Sequence, residues 1–72
     1  MADAALQALL DPDGNGRGIM ITRRGDDTGT LSSYYVVPAV GPYAGRSRWV
    51  TVTTANTDAQ KNTAIRAALL IP

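Results

Sequence analysis

The chain must fold without the staples small domains often rely on. Its 72 residues include no cysteine and no histidine. Disulfides and Cys-ligated zinc are therefore excluded. With histidine go the commonest general base and the commonest transition-metal ligand. A domain this short buries a smaller fraction of its unfolded surface than a longer one and is marginal unless something else holds it. Oligomerisation needs no special residue type, so it is the staple expected here. Phenylalanine is also absent, leaving Leu, Ile, Val, Met, Tyr and Trp to build the core. The length allows a single domain, residues 1–72.

Residues 2–10 read as a short helix. Asp3 is placed to cap or complement its N-terminus, and Leu6, Leu9 and Leu10 recur at i, i+3, i+4 on one face. Pro12 disfavours helical geometry at Asp11, and the Gly- and Asn-rich segment 13–16 supplies a turn. From 18 to 24 the period becomes that of a strand, with Ile19, Ile21 and Arg23 on one side and Met20, Thr22 and Arg24 on the other. A polar loop at 25–29 has hairpin length. A second strand over 30–37 is rich in β-branched and aromatic residues, and Pro38 marks its end or an edge. A third strand is expected over 46–54. It is apolar or β-branched on both faces and so suits a central position. Thr57 and Gln60 have the spacing of a capping box, and Ala64, Ile65, Ala68 and Leu69 follow at helical spacing.

The expected fold is α+β: a small three-stranded antiparallel sheet with a short N-terminal helix and a C-terminal helix packed on one face. The other face is then uncovered and the sheet has edges, a combination that partners tend to complete.

The sharpest local motif is Asp11-Pro12-Asp13-Gly14-Asn15-Gly16. It matches the first half of a helix-flanked calcium loop, in which alternate oxygen side chains converge and a glycine lets the backbone bend. The second half fails. Gly18 stands where an aliphatic residue is expected, and Thr22 where a bidentate carboxylate is required. The plainer reading of Asp11, Asp13 and Asn15 is a polar turn after a helix, with calcium the alternative; no other cofactor is implied. The glycine run at 14–18 lies between helix and strand. Phosphate-cradling loops run from strand into helix, so that reading is discarded.

Arg23-Arg24 beside Asp26-Asp27 reads as a solvated hairpin whose charges neutralise one another. Arg46 and Arg48 precede Trp49, with Tyr34, Tyr35 and Tyr43 elsewhere. Arginine among aromatics is typical of protein–protein contact surfaces. It also suits a stacking platform for single-stranded nucleic acid. Seven basic against six acidic residues give a net charge of only +1, which disfavours nucleic acid.

No catalytic arrangement stands out. With histidine absent, a serine has only Lys61 as a base, and a chain this size has little room for a substrate cavity of about 300–1,000 Å³. No signal peptide is evident, and no segment approaches the roughly 20 apolar residues of a spanning helix. The chain is expected to be soluble and made in the cytoplasm, without a membrane or small-molecule partner. The leading expectation is a non-enzymatic structural protein that self-associates or binds a larger protein assembly through Trp49, Tyr34, Tyr35, Tyr43, Arg46 and Arg48. Its compact, β-branched, cysteine-free composition extends this to a phage virion component: a capsid-decoration, head–tail or tail subunit. The alternative is a small nucleic-acid-binding module using Arg23, Arg24, Arg46, Arg48 and Trp49.

Overall fold

The computed structural model describes residues 3–25 and 27–71. The elements run α1 (Ala4–Leu10), β1 (Ile19–Arg24), β2 (Leu31–Pro38), β3 (Arg48–Thr53) and α2 (Asp58–Ala68). The three strands form one antiparallel sheet in the order β1-β2-β3. The α+β architecture is the one read from the sequence. The central strand is β2, however, and β3 lies at an edge. Both helices pack together on one side, α1 against β1 and α2 against β3.

Alternation decides what the sheet buries. Ser32, Tyr34, Val36 and Pro38 of β2 face the helices, as do Val50 and Val52 of β3. They meet Leu6 and Leu10 of α1, Ile19 of β1, and Ile65 and Leu69 at the C-terminal helix, with Ile21, Tyr43, Ala64 and Ile71 around the margin. Each fully buried aliphatic side chain contributes about 1.5–3 kcal/mol. Leu9, expected to share the face of Leu6 and Leu10, is instead exposed.

The β1–β2 hairpin closes on a two-residue turn, Gly29-Thr30, between Thr28 and Leu31, which exchange backbone hydrogen bonds of 3.0 Å. Gly29 has φ of 61°, the positive value such a turn requires at its first central residue. Farther along, the register shifts between Ile21 and Arg23. The bulge reverses the expected side-chain phase. Arg23 pairs with Tyr35 and joins the outer face, and Arg24 pairs with Tyr34 and turns toward the helix side.

The local signals at α2 are borne out. The Thr57 hydroxyl accepts from the Gln60 N–H and the Gln60 side chain accepts from the Thr57 N–H, forming the capping box. At α1 the expected cap is not made: Asp3 forms no side-chain hydrogen bond to the helix start. Its buried carboxylate accepts from Arg24 Nη1 at 3.0 Å and from the Tyr34 hydroxyl at 3.3 Å.

Candidate functional site

The helix-free face of the sheet carries a cross-strand row. Register sets Arg23 of β1 beside Tyr35 of β2, and Tyr35 beside Trp49 of β3. The Tyr35 and Trp49 rings lie 5.0 Å apart at 51°, a tilted geometry favoured by aromatic quadrupoles. The Arg23 guanidinium lies 6.0 Å from the Tyr35 ring centre. Tyr35 is fixed at its far end by a 2.7 Å hydrogen bond between its hydroxyl and that of Ser47, and the Ser33 and Thr51 hydroxyls meet at 3.2 Å. The indole of Trp49 reaches inward across the sheet: a Cβ on Gly25 would meet its Cζ3 at 2.9 Å. Trp49 is nevertheless 49% exposed.

The six residues expected at a contact surface do not all share this face. Trp49 and Tyr35 do. Tyr34 is core, 1% exposed, and burial raises its phenol pKa. Tyr43 is half-buried in the β2–β3 connection, where the Arg48 guanidinium stacks on its ring at 3.8 Å. Arg48 occupies the helix-side phase of β3, and its Nε is buried without a hydrogen-bond partner among the described residues. Arg46 is exposed. Among the described residues neither arginine is in an ion pair.

Arg24 is committed elsewhere. Its Nη2 reaches both Asp27 carboxylate oxygens at 3.1–3.2 Å and the Ser32 hydroxyl at 3.4 Å, while Nη1 holds Asp3. The hydrogen bond with Asp27 and the nearby Asp3 charge raise its pKa against the effect of burial. Ser32 and the Arg24 guanidinium together hold the Asp27 carboxyl below the usual carboxylate range. The expected neutralisation within the hairpin is thus made by Arg24 and Asp27; Asp26 lies outside the described residues.

The half-matched calcium loop is organised around backbone donors. Asp11 is buried; its two carboxylate oxygens accept from the N–H groups of Gly16 at 2.9 Å and Gly18 at 3.2 Å. Asn15 accepts from the Arg17 N–H at 3.0 Å, and Asp13 is exposed. Among the described residues no group of three acidic side chains is placed to hold a metal ion.

Sequence reasoning passed over Gln7. Its carboxamide lies along the outer edge of β1, with Nε2 donating to the Ile19 carbonyl at 3.0 Å and Oε1 accepting from the Ile21 N–H at 2.7 Å. One side chain thus plays the part of a neighbouring strand. The available signal was a single amide among the Ala and Leu residues of α1.

Among the described residues no helix is long and apolar enough to cross a membrane. Comparison with protein-family models, curated proteins and solved structures returned no match.

Proposed function

We propose that this chain is a non-enzymatic structural protein that self-associates or binds a larger protein scaffold through the helix-free face of its sheet. The observation that carries this reading is Trp49, half exposed and tilted against Tyr35 on a face that neither helix covers. A large aromatic held in place by a neighbour loses little conformational entropy on binding and offers much apolar area, which is why Trp and Tyr recur as interface anchors. Arg23 supplies a charged rim to the same row. The composition extends the reading to a phage virion component.

The nucleic-acid alternative has less support. Of Arg23, Arg24, Arg46, Arg48 and Trp49, register sets Arg23 and Trp49 on either side of Tyr35 on the outer face. Arg24 is ion-paired with acids, and Arg48 is stacked on Tyr43.

The test is the native mass of the chain in an extract of its source cells, set against that of the purified chain. The expected result is a larger assembly in the extract and its loss for Trp49→Ala, with the melting temperature nearly unchanged. The same mass in both settings, with a monomer at every concentration, would overturn the reading.

A further inference from the structure

The connection between α1 and β1 gathers reactive groups around a single peptide bond, the one joining Asn15 to Gly16. The Gly16 N–H donates to Asp11 Oδ2 at 2.9 Å. The other oxygen of that carboxylate accepts from the Gly18 N–H at 3.2 Å. Asp11, only 7% exposed, is thereby fixed at both oxygens with one of them on the Gly16 nitrogen. Asn15 Oδ1 accepts from the Arg17 N–H at 3.0 Å. That bond turns the carboxamide forward along the chain, toward the nitrogen of Gly16, and polarises its C=O. Glycine has no Cβ to crowd that nitrogen, and the space where one would stand is open for 4 Å. Asn15 and Gly16 are both exposed to water.

We propose that Asn15 is a site of intramolecular deamidation, with the Gly16 nitrogen as nucleophile, Asp11 as general base and the Arg17 N–H as oxyanion donor. The Gly16 nitrogen bonds to Asn15 Cγ while its proton passes to Asp11 Oδ2. Negative charge develops on Asn15 Oδ1, at which the Arg17 N–H already points. The Cγ–Nδ2 bond then breaks, and Nδ2 departs as ammonia, taking the proton from Asp11. Water opens the cyclic imide that remains. Attack at Cγ gives aspartate; attack at the Asn15 main-chain carbonyl gives isoaspartate. Water is consumed, ammonia is released, and nothing is oxidised or reduced. The asparagines at 56 and 62 lack this arrangement. Each precedes a threonine, whose branched side chain crowds the attacking nitrogen. Asn62 Oδ1 is also drawn away from its own main chain by Arg66 Nε at 2.9 Å. The product at 15 adds a carboxylate to the loop of Asp11 and Asp13, and the formal net charge of +1 falls to zero. In the isoaspartate form the main chain gains a methylene just before Gly16. That displaces the N–H held by Asp11 and loosens the junction where Gly18 packs on the end of α1.

The experiment ages the purified full chain at neutral pH and physiological temperature, once in native buffer and once unfolded in guanidinium chloride. Peptide mass spectrometry reads the amide-to-acid mass gain at each asparagine, and chromatography separates isoaspartate from aspartate. Asn15 should convert roughly tenfold faster in the native chain than in the unfolded one, a small part of what a positioned general base supplies. Asn56 and Asn62 should stay unchanged over the same time. Asp11→Asn keeps an acceptor at this position and removes the base. It should slow the native reaction to the unfolded rate and leave the unfolded rate as it was. Because loss of Asp11 can also disrupt folding, the comparison of native with unfolded wild type decides without the variant. A native rate equal to or below the unfolded rate overturns the proposal, since the same hydrogen bonds would then be protecting Asn15. A native rate that Asp11→Asn leaves unchanged, in a variant with the wild-type circular dichroism spectrum, overturns it as well.

Discussion

Gln7 stands beside Ile21 as a strand would: its Oε1 accepts the Ile21 N–H at 2.7 Å while its Nε2 donates to the carbonyl of Ile19, two residues back along the same edge. A primary amide has the donor and acceptor of a peptide group, so a single side chain satisfies one repeat of the ladder. Exposed strand edges template further pairing, and this contact closes one of the two.

Replacing Gln7 with leucine keeps the side chain near its size and removes the pairing. The partly buried Ile21 N–H and Ile19 carbonyl lose their partners, at a cost of about 1–3 kcal/mol. Urea unfolding should show that loss with little change in slope. The variant also opens the β1 edge at Ile19 and Ile21, and its mass in sedimentation should rise with concentration relative to wild type. A variant that keeps both wild-type stability and wild-type mass would show that the amide does not guard the edge.

Gly18 is constrained by close approach. A Cβ there would lie 2.3 Å from the Leu10 carbonyl oxygen and 3.0 Å from the Asp11 Cα. These are backbone atoms at the end of α1, and Asp11 also accepts the Gly18 N–H. Gly18→Ala must push α1 away from the start of β1, and the expected loss is about 1–3 kcal/mol, as for overpacking. Gly14→Ala meets no neighbour within 4 Å and carries only the cost of its positive φ of 66°. Thermal melts of the two should rank Gly18→Ala as the more damaging; the reverse order would contradict the packing.

Leu70 lies just past α2 with φ of 56°. The Ile71 N–H donates to the Arg66 carbonyl and the Leu70 N–H to that of Ala67, the paired closure that favours glycine at this position. Leu70 is 63% exposed, so little burial is lost by removing its side chain. Relief of left-handed strain is about 1 kcal/mol, and Leu70→Gly should raise the melting temperature. A fall would mean that Leu70 contributes more by packing than its exposure indicates.

Two groups give the pH dependence opposite signs at its extremes. The Asp27 carboxyl is lowered by Ser32 and Arg24. The stability it contributes is present above the unfolded carboxylate value of about 3.9 and is lost as pH falls through the folded value. Tyr34 is raised by burial. Its contribution is intact below the unfolded phenol value of about 10 and is lost as pH rises through the folded value. Unfolding free energy measured against pH should therefore fall at both ends. Asp27→Asn should flatten the acid limb and Tyr34→Phe the alkaline one. An acid limb unchanged by Asp27→Asn would place the sensitivity on another carboxylate.

Part of this architecture was legible residue by residue. The capping box of Thr57 and Gln60, the helical spacing of Ile65 and Leu69, and the β-branched runs of β2 and β3 act over a few residues. Neighbours within one turn or one pleat are enough to set such features. The α+β class followed from their order. Tertiary structure decided the rest. The bulge after Ile21 exchanged the sides of Arg23 and Arg24, because one extra residue flips every later side chain to the other face. That flip brought Arg23 to Tyr35 and Trp49 and delivered Arg24 to Asp3 and Asp27. Tyr34 and Tyr35 are equivalent as neighbours in the sequence, yet register buries one and leaves the other on the outer face. The position of β3 at an edge and the closing of β1 by Gln7 depend on which segments lie side by side after folding. No local pattern carries that, so the sequence determined the elements, and their pairing determined which surfaces were left open.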